Sequence, residues 1–285
     1  MGDGLGAPGA GRVSARRLEG YLKLVCSAGG SGRSFLSEQS FAAPFHLSKP
    51  YWDGRVLRVQ VINPTAGLFA GDRLRSDVRV GRGARLCFTT PSASRVHAMS
   101  SGQAWVEQAF EIEDGGWLEY SPAPLIPQRN SRYRQRTRVE VEAGGELLFL
   151  ETMAPGRVAH GEQFGFTEVD WELDLRYAGR LLARERYRLR PDDESLAPLR
   201  RVFPAAYFAS GYVITERLTP EDSCWSEARA VQTPACLVGW SRLPEAGWSL
   251  RLVAADPVSL RRCWRDLRAL LARRLPELAS PGRPG

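Results

Sequence analysis

The chain has 285 residues, of which 43% are apolar, so it is long and apolar enough to bury a sizeable core. No apolar run approaches the roughly 20 residues of a membrane-spanning helix, and the N-terminal segment lacks the hydrophobic stretch of a secretory signal. The formal net charge is +7, but neither a basic helix nor a regular series of aromatic residues predicts a nucleic-acid surface. We therefore expect a soluble, cytoplasmic protein that binds neither membrane nor nucleic acid.

The first 14 residues are rich in glycine, and we expect them to form a disordered tail ahead of a single β-rich domain at residues 15–285. The five cysteines are far apart and form no C-x-x-C pair, which argues against a zinc site and against a disulfide framework. We expect them to be small core residues, namely Cys26, Cys87, Cys224, Cys236 and Cys263.

Residues 63–74, NPTAGLFAGDRL, contain two glycines that suggest a phosphate-binding loop. The spacing from Gly67 to Gly71 is one residue too short for a P-loop, and Asp72 stands where that motif has its lysine. The residues that follow, RLRSDVRV, alternate between polar and apolar, so they predict a strand and leave no helix N-terminus for a phosphate. We therefore reject nucleotide binding.

Four segments share one pattern, in which an alternating strand ends in a small-residue turn and a second apolar strand begins at once. Similar units at similar spacing indicate an internal repeat. Because one hairpin cannot bury its own apolar face, we predict stacked β-hairpins that form a mainly β, β-helix-like solenoid with a few helices. An ordinary β-sandwich with regular turns is the alternative. The segments are VRVGRGARL (78–86), FEIEDGGWL (110–118), VEVEAGGEL (139–147) and LDLRYAGRL (173–181).

The last third of the chain changes character. We predict a short helix within residues 192–203 and strands within 206–217 and 247–255. An amphipathic C-terminal helix is expected at about residues 257–275, because Asp256 is a natural N-cap and Pro257 suits the first helical position. Its apolar face can dock on its own domain or meet a partner. That face carries Leu260, Trp264, Leu267, Leu271 and Leu275.

The sequence shows no arrangement of catalytic residues, so we do not expect an enzyme. Its three histidines include no i, i+4 pair, and no nucleophile elbow surrounds any serine or cysteine. Four carboxylates in or beside loops and strand ends are more informative, although each can simply accept hydrogen bonds from nearby backbone N–H groups. These are Asp72, Glu119, Glu151 and Glu162.

The chain resembles the family of the urease accessory protein UreD, called UreH in some organisms. Matching pieces occur in family order from about residue 31 to residue 268, and Asp72 matches the family aspartate. The sequence departs from the family pattern at Pro91 (glutamine), Arg95 (lysine) and His97 (tyrosine). The pieces are SGRSFLSEQSFAAPFHLSKPY, NPTAGLFAGDRL, VRVGRGARLCFTTPSASRVH, WLEYSPAPLIPQRNSRYRQRT, PGRVAHGEQFGF and CWRDLR.

This resemblance implies a non-catalytic protein with a β-helix-like body that assists nickel delivery to urease. It implies binding to UreF, to the GTPase UreG through UreF, and to apo-urease, hence a hetero-oligomer with UreF. Some accounts of the family route the metal through an internal tunnel. We expect no tightly bound cofactor and only transient Ni(II).

Few histidines suit such a route, because nickel leaves imidazole and thiolate ligands slowly whereas scattered oxygen ligands release it. We therefore expect Asp72, Glu119, Glu151 and Glu162 to line or flank a nickel conduit, where each lowers the cost of a divalent cation in a low-dielectric interior. The alternative is a non-catalytic β-solenoid or sandwich module that binds, for example, carbohydrate. That alternative predicts aromatic residues clustered on one exposed face.

Overall fold

Two β-sheets and three α-helices make up residues 17–191 and 196–278, the ranges that the computed structural model describes. The tail expected to be disordered, residues 1–14, lies outside them. The helices are α1 (Ala197–Val202), α2 (Ser223–Val231) and α3 (Pro257–Leu271), with 3-10 turns at Val158–His160 and Pro276–Leu278. The strands are β1 (Glu19–Ala28), β2 (Ser34–Phe41), β3 (His46–Leu47), β4 (Tyr51–Asp53), β5 (Val56–Ile62), β6 (Arg73–Val80), β7 (Arg85–Thr89), β8 (Ser94–Val96), β9 (Ala104–Ile112), β10 (Trp117–Tyr120), β11 (Leu125–Pro127), β12 (Arg132–Val141), β13 (Glu146–Met153), β14 (Glu168–Tyr177), β15 (Arg180–Leu189), β16 (Tyr207–Ile214), β17 (Cys236–Arg242) and β18 (Trp248–Ala254).

Each sheet has a central set of parallel strands stacked in chain order. The first sheet has the order β15-β14-β12-β9-β6-β1-β2, in which only the edge strands β15 and β2 are antiparallel to their neighbours. In the second sheet β5, β7, β10 and β13 are parallel, and β16, β18 and β17 extend it in antiparallel fashion. The chain therefore winds as a β-solenoid, which confirms the predicted fold class.

The repeating units of this solenoid are not the hairpins that we predicted. In three of the four units the two strands belong to different sheets, because β6 leads into β7, β9 into β10 and β12 into β13. Each connecting turn is an arch of four residues that carries the chain across the interior. Glycine occupies the third position of each arch with positive φ, at Gly83, Gly115 and Gly144.

Only the fourth unit, β14 with β15, is a hairpin. Its loop has two residues, Ala178 and Gly179, both with positive φ, as the tight turns of twisted hairpins require. The longer arches instead stack on one another through backbone hydrogen bonds, such as the one from Gly115 N–H to Gly144 O. Loop length therefore separates the two kinds of unit.

A polar layer crosses the interior between two apolar clusters. One cluster lies next to the arches and includes Phe110 and Leu147, whereas the other lies towards the opposite strand ends and includes Val96 and Phe166. Between them, the register of the first sheet places polar residues in one row along the stacking direction, interrupted only by Leu173. That row contains Ser76, Gln108, Thr137 and Glu185.

Helices α2 and α3 cover the outer face of the second sheet. Asp256 caps α3 as predicted, since its carboxylate accepts hydrogen bonds from the N–H groups of Val258 and Ser259. The helix ends at Leu271 and not near residue 275, although Leu275 remains buried in the same cluster. The leucine face of α3 thus docks on its own domain.

The remaining predictions about the last third hold in outline. Strands β16 and β18 lie within the predicted segments, and α1 lies within the predicted helical segment, whose residues 192–195 are outside the described ranges. All five cysteines are buried and unpaired, as expected. No helix of residues 17–191 or 196–278 is long and apolar enough to cross a membrane.

Candidate functional site: an internal cavity

A cavity of about 310 Å³ lies between the two sheets, where the polar layer meets the loops at one end of the strands. Its inner wall carries the side chains of Gln108, Gln135 and Glu151. Its rim is formed by residues of the segments 63–68 and 90–95, most of which are at least partly exposed. The cavity therefore joins the interior to the surface.

Gly67 allows the two rim segments to approach closely. Its φ is +141°, and a Cβ atom here would lie 2.5 Å from the carbonyl oxygen of Arg95. Backbone pairing uses this space, because Leu68 N–H donates to Arg95 O at 2.8 Å and Leu68 pairs with Val96. The loop that resembles a nucleotide motif is thus part of the rim of an internal cavity.

His97 fastens the same two segments from the outside. Its ring stacks on Phe69 with 4.4 Å between centroids, and its Nε2 atom lies 2.9 Å from the carbonyl oxygen of Ala66. His97 stands where the family pattern has tyrosine, so an aromatic ring is retained at this position. The histidine is therefore a structural residue of the rim in this conformation.

Replacing Gly67 with alanine is expected to lower the free energy of unfolding by about 1–3 kcal/mol. The new Cβ atom would clash with the backbone at Arg95, and alanine would be strained at this positive φ. Urea unfolding of the variant measures the effect. Gly239→Ala is the matched control, since no atom lies within 4 Å of a Cβ there. Equal losses in both variants would contradict this account of the rim.

Glu151 is the predicted site residue that faces the cavity. The alternation of β13 turns Leu147, Phe149 and Glu151 inward, and Glu151 is only 6% exposed. Its Oε1 atom accepts hydrogen bonds from Gln135 Nε2 at 2.7 Å and from Gln108 Nε2 at 3.0 Å. Its Oε2 atom accepts one from the indole N–H of Trp171 at 2.9 Å.

These three donors to Glu151 are neutral. Burial raises the pKa of the carboxyl group to about 7, although the three hydrogen bonds act in the opposite direction. The charge of Glu185 raises this pKa further. Glu151 is thus a deeply buried carboxylate beside an open space, in surroundings that a cation would stabilise.

Asp72 lies at the base of the rim and is 4% exposed. Its carboxylate accepts hydrogen bonds from the N–H groups of Phe69, at 2.8 Å, and Leu18, at 3.1 Å. These bonds tie the glycine loop to the residue that precedes β1. Asp72 therefore accepts hydrogen bonds from nearby backbone N–H groups, which is the alternative role that the sequence analysis gave for such carboxylates.

Glu119 lies on the opposite side of the second sheet, beneath α3. Its two oxygens form a bidentate ion pair with Arg268, with distances of 2.7 Å to Nε and 2.9 Å to Nη2. The side chains of Glu119 and Arg268 are 5% and 18% exposed. This pair joins the C-terminal helix to β10.

Glu162 lies in the loop after the 3-10 turn Val158–His160. Arg157 pairs with it through two hydrogen bonds, one of them 2.9 Å from Nε to Oε2, and Arg129 N–H donates to Oε2 at 3.3 Å. The hydrogen bonds from Arg157 lower the pKa of the Glu162 carboxyl group. Its charge is therefore already balanced.

All four predicted carboxylates are buried, but only Glu151 borders the cavity. Within the described residues, no three His, Cys, Asp or Glu side chains are grouped as a metal site would need. The sequence analysis missed the amide side chains of Gln108 and Gln135. Their signal was an amide residue at an inward position of a strand that alternates between inward and outward residues.

The fold and the cavity define a β-solenoid protein with an internal cavity that polar and apolar residues line together. The sequence profile of the UreD urease accessory proteins matches residues 18–283. The chain is 44% identical over 263 residues to the urease accessory protein UreD of Opitutus terrae. The matched region covers 91% of this chain and 96% of that protein. The chain belongs to the UreD urease accessory protein family.

Other members of the family match over most of their length. UreD 2 of Methylorubrum extorquens is 33% identical over 282 residues, which are 92% of this chain and 86% of that protein. UreD of Mycolicibacterium gilvum is 32% identical over 261 residues, which are 89% and 93% of the two chains. Membership in the family supports a role in urease maturation.

Proposed function

We propose that this protein is a non-catalytic maturation factor that binds apo-urease together with UreF, and UreG through UreF, and that assists nickel delivery to urease. Nickel passes through the internal cavity as cargo, and no cofactor is held tightly. The observation that supports this proposal most is the deeply buried Glu151 carboxylate, which faces a cavity of about 310 Å³ with an exposed rim.

The donor set of the cavity suits passage better than storage. Among the described residues that line it, none carries an imidazole or a thiol, whereas carboxylate, amide and hydroxyl oxygens are present, with the guanidinium group of Arg95 at the rim. Such ligands bind Ni(II) less tightly than nitrogen or sulfur ligands do, so a metal ion would be released readily. The polar row from Ser76 to Glu185 supplies further side-chain oxygen atoms along the stacking direction.

The other three carboxylates flank this route in the proposal. Asp72 shapes the rim through its bonds to Phe69 and Leu18. Glu162 orders a neighbouring loop with Arg157, and Glu119 holds α3 against the outside of the second sheet. Each is expected to act through the shape of the protein, whereas Glu151 is expected to meet the cation itself.

A carbohydrate-binding module remains the second candidate, supported by an exposed aromatic pair. Tyr51 and Trp52 on β4 are 43% and 47% exposed. The burial of all four carboxylates favours the internal route instead, because a carbohydrate site does not require acids in the interior. Retention on immobilised polysaccharide that is lost in Trp52→Ala would favour the module.

The proposal is tested with three single variants, Glu151→Ala, Asp72→Ala and Glu162→Ala, and with one double variant that combines Asp72→Ala and Glu162→Ala. We expect Glu151→Ala to reduce the nickel content and activity of urease by about tenfold or more, since a cation would lose the one carboxylate that the described residues contribute to the cavity lining. The flanking variants should reduce them less. The measurement compares cells with equal levels of all urease proteins.

Glu140→Ala is the matched control, because this carboxylate is exposed on the outside of β12. Co-purification with UreF must be retained in every variant, so that loss of assembly is separated from loss of passage. Unchanged urease nickel in the Glu151 variant and in the double variant would exclude the conduit.

A further inference from the structure

A ladder of charged side chains covers the outer face of the first sheet near its β15 edge. The outward positions of β12 carry arginines, those of β14 carry acids, and those along β15 and just after it carry arginines again. Eight arginines thus accompany four carboxylates, so this face has a net charge of +4, since Glu140 and Arg176 pair with each other. The arginines are Arg132, Arg134, Arg136, Arg138, Arg184, Arg186, Arg188 and Arg190, and the carboxylates are Glu168, Asp170, Glu172 and Asp174.

The pairing of β14 with β15 shows how these arginines bind an acidic strand. Arg184 donates two hydrogen bonds to Asp174, at 2.7 and 2.8 Å. Arg186 donates two to Asp170, at 3.1 and 2.9 Å. Acids at alternate positions of a neighbouring strand therefore meet the guanidinium groups in bidentate geometry.

Strand β15 has a neighbour on one side only. It is the last strand of the first sheet, and among the described residues β14 is its only backbone hydrogen-bonding partner. Its other side presents a row of unpaired N–H and C=O groups, to which an extended segment can add as a further strand. The edge strands β2 and β17 carry no comparable run of like charges.

The arginines of β15 can accept a second carboxylate. The side chains of Arg184, Arg186 and Arg188 are 61%, 50% and 54% exposed. Ion pairs at such exposure contribute little to stability, and a guanidinium group has five N–H donors. Each arginine can therefore bind an acid of β14 on one side and an acid of a docked strand on the other.

We propose that the free edge of β15 binds an extended acidic segment of a partner protein. The segment adds to the first sheet as a strand and places Asp or Glu side chains at alternate positions beside Arg184, Arg186 and Arg188. A second copy of this chain does not fit, because β15 against β15 would set arginines beside arginines. This surface does not depend on the proposed nickel route.

The charge pattern favours a protein segment over a nucleic acid. The carboxylates of β14 lie between the two sets of arginines, within the face itself. They would repel a continuous row of phosphates laid across that face. A strand at the β15 edge meets the outermost arginines and stays one strand away from those carboxylates.

The test measures binding of a fluorescently labelled octapeptide of alternating glutamate and threonine to the purified full chain, by anisotropy at low salt. The triple variant Arg184→Gln, Arg186→Gln, Arg188→Gln should bind this peptide about tenfold more weakly or worse. A peptide with four glutamates followed by four threonines should also bind more weakly to the wild type, because only alternate residues of a strand share one face.

The matched control removes the same charge elsewhere on the molecule. Arg75→Gln, Arg79→Gln and Arg82→Gln together alter exposed arginines of β6 and its arch, and this variant should keep the wild-type affinity. Thermal unfolding verifies that each variant is folded. The single variant Arg186→Gln, with an expected loss of about threefold, replaces a triple variant that does not fold.

Amide hydrogen exchange shows whether the peptide adds at the edge. Strand addition should slow exchange of N–H groups within residues 180–189, whereas attraction to the charged face alone should leave it unchanged. Four results overturn the proposal: no binding, equal affinity in the β15 variant, unchanged exchange at 180–189, or tighter binding of a thymidine oligonucleotide of equal charge. All are measured without urease, so they are separate from the test of nickel delivery.

Discussion

Replacing Glu119 with alanine is expected to lower the free energy of unfolding by about 3–5 kcal/mol, the usual cost of breaking a buried ion pair from one side. The substitution would leave the Arg268 guanidinium group, whose side chain is 18% exposed, without its bidentate partner beneath α3. Urea unfolding of the purified variant, monitored by tryptophan fluorescence, measures the loss. We expect the C-terminal helix to detach first.

Two comparisons show whether burial causes this effect. Glu119→Leu combined with Arg268→Leu should cost less than Glu119→Ala alone, because no uncompensated charge remains. Asp266→Ala breaks an ion pair of α3 whose side chains are 72% and 45% exposed, and should cost less than about 1 kcal/mol. A loss for Glu119→Ala as small as that for Asp266→Ala would contradict the buried pairing.

Glu151 is expected to make the protein less stable as the pH rises from about 5 to about 8. Its pKa is about 7 in the folded state against an ordinary value of 4.5. Between these values the folded state binds more protons than the unfolded state, so the free energy of unfolding falls with increasing pH. The free energy of unfolding falls by about 3 kcal/mol in total, and this loss is complete above pH 7.

Urea unfolding at pH 5 and pH 8 measures this dependence, and Glu151→Gln should remove most of it. Glu162→Gln is the opposite control, because the pKa of Glu162 is lowered by Arg157. The contribution of Glu162 is present above its ordinary pKa of 4.5 and is lost only as the pH falls below it. An unchanged difference between pH 5 and pH 8 in Glu151→Gln would mean that Glu151 is not the titrating group.

The solenoid could be predicted because its repeat is visible in the sequence, whereas the pairing of its strands was harder to predict. Alternating strands joined by a glycine turn are compatible with a hairpin and with an arch. The distinction was available in loop length, since Ala178-Gly179 is a two-residue turn and the arches have four residues. Strand pairing also depends on neighbouring repeats, which local pattern does not show.

The candidate site could be predicted only in part, for physical reasons that differ between residues. Glu151 stands out as a carboxylate at an inward position of an apolar strand. Glu185 does not, because the surrounding sequence RLLARERYRLR reads as the charged face of a solvated strand. The contact of the rim segments depends on tertiary pairing of Leu68 with Val96, which no local signal records.

Filling the cavity tests the central claim most directly. Ala93 and Ala123 line the cavity, and Ala93→Trp with Ala123→Trp would occupy it, whereas exposed Ala98→Trp, which lies outside the cavity lining, serves as the control. The measurement is the nickel content of urease purified from cells with equal levels of the accessory proteins and with UreF still bound. Our account predicts nickel-poor urease for the filled cavity and normal urease for the control. Fully loaded urease with the filled cavity would contradict it.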